Sequence, residues 1–169
     1  MNKFYLAGGC FWCISDYFLM QDGVEDTNVG YSGGDEKETC YEDVKAQKTG
    51  HRESVEVIYD ENEISLDKLL DLYFEYVDVL DEGGQTIDRG RSYSLALYYQ
   101  NEEEKKLFLN KKEKMEKELN EKVAVSIEPF KFFIVAEEEH QHYSYKNPDA
   151  FLKELEESGR EEHLALKKK

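Results

Sequence analysis

The sequence predicts an α+β fold, one domain over residues 1–169, on three observations. Stretches that alternate apolar and polar residues interleave with stretches of helical period. No long structureless linker, repeat or low-complexity tract divides them. Apolar residues make up 40% of the chain and aromatic residues 13%, enough to build one core at this length.

Residues 3–6 read as a short strand that runs through Ala7-Gly8-Gly9 into a helix with the apolar stripe Phe11, Ile14, Phe18 and Leu19. Residues 24–34 read as a strand ending in the flexible Gly30-Tyr31-Ser32-Gly33-Gly34, and residues 54–59 alternate as a strand should. Ser65 is placed to cap a helix over 66–77 with Leu66, Leu69, Leu70 and Tyr73 facing inward. A strand is expected over 93–99. Asn101 with Glu104 then opens a charged helix to about Asn120, whose acidic start suits the helix dipole. Residues 123–127 and 132–135 supply more strand. A final helix from Pro148 to about Lys167 carries Phe151, Leu152, Leu155 and Leu164.

Thirty-eight acidic against 22 basic side chains give a formal charge of -16, which repels phosphate backbones and anionic membranes. Nucleic acid is therefore excluded as a natural partner. No apolar run approaches the roughly 20 residues that span a bilayer. Three cysteines with no apolar leader ahead of Cys10 point to a cytoplasmic protein whose thiols stay reduced.

The segment Gly9-Cys10-Phe11-Trp12-Cys13 then becomes the candidate site. Cys10 falls at a strand-to-helix turn, and a helix N-terminus carries roughly half a positive charge, which stabilises a thiolate. Three chemistries fit a C-x-x-C pattern. A zinc site would join Cys10 and Cys13 to His140 and His142, but His-x-His is shorter than the usual gap of a structural site. A thioredoxin-like exchanger would place its tryptophan before the first cysteine, whereas Trp12 lies between the two. The third is a thiolate enzyme helped by an acid and by phenol donors. Glu53, leading into an apolar strand, is partly inward; burial raises its pKa and makes it a usable general acid. Tyr31 in its glycine-rich loop and Tyr93 at a strand start can each point a hydroxyl into a cleft.

Taken together, these motifs resemble the A-type peptide methionine sulfoxide reductases. Gly9-Cys10-Phe11-Trp12 is similar to that family's catalytic signature. Further similar segments follow in order: Gly30-Tyr31-Ser32-Gly33-Gly34, Tyr41-Glu42-Asp43-Val44, Thr49-Gly50-His51 with Glu53, Ile87-Asp88 with Tyr93-Ser94, and Glu139-His140-Gln141-His142-Tyr143 with Lys146-Asn147-Pro148. The resemblance implies a ferredoxin-like two-layer sandwich core with additional helices, and thiol-dependent reduction of methionine S-sulfoxide, free or in proteins, through a Cys10 sulfenic acid. It implies that Cys10 attacks the sulfoxide sulfur while Glu53 protonates its oxygen. Tyr31 and Tyr93 bind that oxygen, Phe11 and Trp12 hold the methyl group, and Asp88 completes the polar wall. No prosthetic cofactor or metal is implied; the reductant is an external thiol such as thioredoxin. Many members carry resolving cysteines after the Lys-Asn-Pro segment, and residues 149–169 contain none. Recycling then falls to Cys13, Cys40 or an external thiol. Residues three apart in a helix lie within disulfide range, which favours Cys13.

Overall fold

The structure, a computed structural model, describes residues 1–158. Strand β1 (Asn2–Gly8) leads into helix α1 (Phe11–Leu19), strand β2 (Val24–Ser32) and the short helix α2 (Tyr41–Lys45). Strand β3 (Arg52–Tyr59), helix α3 (Leu66–Tyr76) and the two-residue strands β4 (Gly84–Gln85) and β5 (Asp88–Arg89) follow. Strand β6 (Leu95–Tyr99), helix α4 (Glu102–Leu119), strands β7 (Ser126–Pro129) and β8 (Ile134–Val135), and helices α5 (Tyr143–Lys146) and α6 (Pro148–Ser158) complete it.

The main sheet has the order β7-β6-β1-β3-β2-β8, and β4 pairs with β5 in a separate ribbon. All neighbours in the main sheet are antiparallel except β6 and β7, which α4 joins as a parallel crossover. Within it, β1-α1-β2-β3-α3-β6 with strand order β6-β1-β3-β2 is the ferredoxin-like βαββαβ arrangement, extended at both edges by β7 and β8.

Strand register decides which residues share a face. Phe4 pairs with Val57 and Leu6 with Val55, so these four lie under the helices. There the Phe4 ring meets Phe18 of α1 at 6.2 Å and Phe108 of α4 at 6.0 Å. The opposite face carries a smaller core of Tyr5, Ala7, Ala96 and Tyr98, covered by Phe130 and Phe133. Because both faces are covered, β3 is buried almost throughout rather than at alternate positions. Its polar residues are accordingly paired: Arg52 lies 2.9 Å from Glu128, and Tyr5 donates to Glu56 at 2.7 Å.

Local signals set the helix starts. Ser65 accepts from the Lys68 amide at 3.1 Å and Asn101 from the Glu104 amide at 2.9 Å, as cap residues do. Several expectations shift. Gly30 and Tyr31 belong to β2 rather than to a flexible end, because β3 pairs with them on one side and β8 on the other; a Cβ on Gly30 would strike the Ile134 carbonyl. Tyr93 ends a 3-10 turn, Arg91–Tyr93, ahead of β6. Residues 123–125 precede β7, although Val123 and Val125 are buried. Leu19 and Leu66 are only half-buried and Leu152 is exposed, while Phe151 packs inward. The rest of the last helix, to Lys167 with Leu164, and the Leu155 side chain lie outside the described residues. No helix among the described residues is long and apolar enough to cross a membrane.

Candidate active site

Cys10 occupies the N-cap of α1, with backbone angles of φ -59° and ψ 118° and no side-chain cap hydrogen bond. Gly9 before it has φ 87°, a left-handed turn that glycine adopts without strain and that swings the chain from β1 into the helix. Cys10 itself is only 6% exposed. The first free amide of the helix, that of Phe11, donates to Glu53 Oε1 at 3.1 Å. One carboxyl group therefore sits one residue from the thiol, held by the backbone rather than by a loop.

Glu53 shares the helix-covered face of β3 with Val55 and Val57, which is why it is buried to 1% exposure. Burial pushes its pKa from 4.5 up to about 8; the Phe11 amide pulls it back, the negative charge of Asp88 raises it further, and the Tyr93 hydroxyl and Lys45 oppose. The group thus keeps its proton at neutral pH. Its second oxygen, Oε2, makes no hydrogen bond of ordinary geometry among the described residues.

Two phenols flank this carboxyl. Tyr31 pairs directly with Glu53 in the β2–β3 register, so both project from the same face. Its hydroxyl donates to Glu137 Oε1 at 2.8 Å. Burial first, then the Glu137 hydrogen bond and charge, hold the Tyr31 phenol far above its ordinary pKa. Tyr93 is raised likewise, by burial and then by the negative potential of Glu53, Tyr41, Asp88 and Cys10. Both phenols remain protonated and can only donate or accept as neutral groups.

Beside the thiol lies an aromatic wall. The Phe11 ring is within 5.8–6.4 Å of Trp12, Tyr31, Tyr41 and His140. Trp12, half-buried, stacks on Tyr143 at 3.8 Å with an interplanar angle of 7°. Its indole N–H donates to His140 Nδ1 at 3.2 Å, and Tyr41 stacks on His140 at 4.3 Å. A cleft of about 380 Å³ is lined by Trp12, Tyr41, His140 and Tyr143, with Glu42 and Glu137 at its edge.

The chain matches the family model for peptide methionine sulfoxide reductase over residues 2–169. The chain belongs to the peptide methionine sulfoxide reductase family. A protein of Halalkalibacterium halodurans named peptide methionine sulfoxide reductase MsrA is 40% identical over 166 residues, 97% of this chain and 94% of that one. One of the same name from Clostridium acetobutylicum is 40% identical over 151 residues, covering 89% of this chain and 93% of that one. The reduced form of Mxr1 from Saccharomyces cerevisiae has a TM-score of 0.82 at 31% identity, covering 88% of this chain and 86% of that one.

In this reductase Phe11, Tyr31, Glu53, Asp88 and Tyr93 gather around the thiol end of α1. The other two cysteines stand elsewhere in the chain's elements. Cys13 is wholly buried in the core face of α1, and Cys40 is half-buried as the N-cap of α2. No disulfide joins Cys10, Cys13 or Cys40.

The structure does not bring Cys10, Cys13, His140 and His142 within reach of a common ion. Among the described residues, the groups close enough to share an ion are Glu137, Glu139 and His140, and separately Glu25, Asp60 and Glu63; neither includes a cysteine. In the first group His140 Nδ1 already accepts the Trp12 N–H, so the neutral ring keeps its hydrogen on Nε2 and has no lone pair for a metal.

Three residues join the site that no role from the sequence reached, Tyr41, Glu137 and Tyr143, and His140, considered there only as a zinc ligand, joins it through Trp12 and Tyr41. Tyr41, His140 and Tyr143 stand in segments that carried the family resemblance, which is the signal that could have found them. Glu137 had none. Gln141 and His51, from the same segments, work on the backbone instead. Gln141 bonds both the amide and the carbonyl of Val29, at 2.9 and 2.8 Å, and His51 bridges the Gly34 amide and the Glu36 carbonyl.

Proposed function

We propose that the family's thiol-dependent reduction of methionine sulfoxide runs in this chain through Cys10. The observation that carries the assignment is the buried Glu53 carboxyl, its pKa pushed up to about 8, one residue from the N-cap thiol and beside the Tyr93 hydroxyl. A sulfoxide oxygen is a strong acceptor but leaves sulfur only when protonated, and a thiolate alone would strand a charged oxygen in an apolar cleft. Here the Cys10 thiolate supplies the electron pair to the sulfoxide sulfur, and Glu53 supplies the proton to its oxygen. The S–O bond breaks and the oxygen ends on Cys10 as sulfenic acid. The substrate sulfur is reduced by two electrons, the Cys10 sulfur is oxidised by two, and Glu53 is left as carboxylate.

Tyr93, its phenol kept neutral by its surroundings, donates to the same oxygen, and Tyr31 approaches it from across the β2–β3 pair. Phe11 and Trp12 form the apolar wall for the S-methyl group. Asp88 raises the Glu53 pKa and so helps to keep the acid loaded. The S epimer is the substrate on the family's pattern. A thiol is the reductant, and thioredoxin is its source; yeast Mxr1 has been solved in complex with Trx2. For recycling, Cys13 is shielded from solvent one helical turn from Cys10, so it resolves the sulfenic acid only from within; Cys40 is the more accessible alternative. The family match over residues 2–169 supports reading the chain as one reductase domain.

The test is turnover of both epimers of a methionine sulfoxide peptide with dithiothreitol and with thioredoxin, beside a Cys10→Ser variant. The expected result is turnover of the S epimer alone, abolished in the variant while its melting curve is retained. Binding without turnover would make the chain a recognition module instead.

A further inference from the structure

His140 takes no part in the proposed proton transfer, yet it holds the aromatic wall by that wall's one polar edge. Its Nδ1 accepts the Trp12 indole N–H at 3.2 Å, with 16° between the two ring planes. His140 is itself fixed. It is buried, its backbone amide donates to the Glu137 carbonyl at 2.9 Å in the 3-10 turn Glu138–His140, and Tyr41 stacks on its ring at 4.3 Å. Burial lowers its pKa against the opposing charges of Glu137 and Glu139, so at neutral pH Nδ1 offers a lone pair. Trp12 is met from another side by Tyr143, stacked on it at 3.8 Å with an interplanar angle of 7°.

Stacking on Tyr143 fixes the plane of the indole but resists sliding and turning within that plane only weakly, whereas an N–H bond is directional. The two contacts together leave the ring one place. An indole has a single polar hydrogen, and His140 takes it, so what Trp12 offers the cleft that it lines with Tyr41 and Tyr143 is apolar surface. An unpaired N–H there would compete for the sulfoxide oxygen that Glu53 and Tyr93 receive. We infer that His140 is a positioning residue of the reductase: as acceptor for the indole N–H it fixes Trp12 as the wall against which the S-methyl group packs. This inference rests on Trp12 forming that wall as proposed above.

The experiment follows the rate of the first turnover against the concentration of a methionine S-sulfoxide peptide for the wild type, His140→Asn, His140→Phe, Trp12→Phe and the Trp12→Phe, His140→Phe pair. Asparagine carries its Oδ1 where histidine carries Nδ1 and so keeps an acceptor; phenylalanine keeps a ring for Tyr41 to stack on and loses the acceptor. His140→Phe is expected to raise the half-saturating concentration about fivefold, the scale of one neutral hydrogen bond, with the saturated rate within about twofold of wild type, and His140→Asn to recover most of that loss. A role in packing alone gives the reverse order, phenylalanine better tolerated than asparagine, and that order overturns the inference. In the Trp12→Phe background, which has no N–H, His140→Phe should cost less than about twofold, and an undiminished penalty there overturns it too. Trp12 is the only tryptophan of the chain, so time-resolved fluorescence anisotropy reads this ring directly. The indole should turn with the whole protein in the wild type and His140→Asn and gain fast local motion in His140→Phe; an indole equally still in all three overturns the inference. If Trp12→Phe alone leaves half-saturation unchanged, the methyl-wall role falls and this inference with it, whereas a raised value in Trp12→Phe beside an unchanged one in His140→Phe strikes only the role of His140. Should His140→Phe not fold, His140→Leu, likewise without an acceptor, takes its place with the same expectations.

Discussion

Replacing Glu53 by glutamine should make the protein more stable and less active, with both effects governed by pH. The folded-state pKa is about 8 against an ordinary 4.5, so the folded protein binds a proton that the unfolded chain releases. A raised pKa contributes stability that is fully present below about pH 4.5 and is lost as pH rises through about 8. The difference of about 3.5 pH units corresponds to about 5 kcal/mol once the carboxyl is ionised in both states, and to about 3 kcal/mol at pH 7. Glutamine carries no such penalty, and its amide can still meet the Phe11 N–H with oxygen while presenting N–H donors where Glu53 presents its proton. Urea unfolding of both proteins from pH 4 to 9 isolates the effect. The wild-type stability should fall relative to the variant across that range, the variant being ahead by about 3 kcal/mol at pH 7. Single-turnover rates over the same range should show the wild type slowing above about pH 8, and the variant slower by about a hundredfold at pH 7 with that limb missing. A stability difference that does not change with pH, or a variant less stable than wild type at pH 9, would refute the claim that Glu53 is held protonated by burial.

Tyr31→Phe and Tyr93→Phe together should cost more than the sum of the two single penalties, because while one hydroxyl remains it still serves the one oxygen; strict additivity in single-turnover rates would place them at separate points. Cys13→Ser should keep the first turnover and lose most thioredoxin-driven cycling, and peptide mapping after one equivalent of substrate should find a Cys10–Cys13 disulfide in the unmutated protein; a Cys10–Cys40 bond transfers the role to Cys40, and a persistent sulfenic acid transfers it to an external thiol. Gly30→Ala should destabilise the fold by about 1–3 kcal/mol in urea unfolding, because its methyl group meets the Ile134 carbonyl and the Phe133 ring and must push β8 off β2; an unchanged midpoint would show that the edge strand yields freely.

Much of the fold was legible because its signals are local. The caps at Ser65 and Asn101 and the glycine turn into α1 depend on a few neighbouring residues, and they stand where the sequence placed them. The same locality explains the shifts. Residues 30–32 read as the flexible end of a strand, but they are held firmly in it by pairing with β3 and, at Gly30 and Tyr31, with β8 about a hundred residues away. The β4–β5 ribbon is two residues per strand, too short for any period to register. Residue types carried the candidate nucleophile. A cysteine at a strand-to-helix turn beside Phe11 and Trp12 can be read from order alone, and Glu53, Tyr31 and Tyr93 were nameable through the resemblance.

Sequence alone determined that a thiol opens α1 and that strands and helices alternate around one core, because backbone preference and periodicity act over a few residues. Only the tertiary structure decided that the Glu53 pKa is pushed up to about 8, since burial between sheet and helix raises it by more than the Phe11 amide, 42 positions away, lowers it. It alone decided that Tyr31 faces Glu53, a matter of β2–β3 register, and that Glu137 reaches Tyr31 from 106 residues further along the chain. Burial and long-range hydrogen bonds are properties of the packed chain, and no window of sequence contains them.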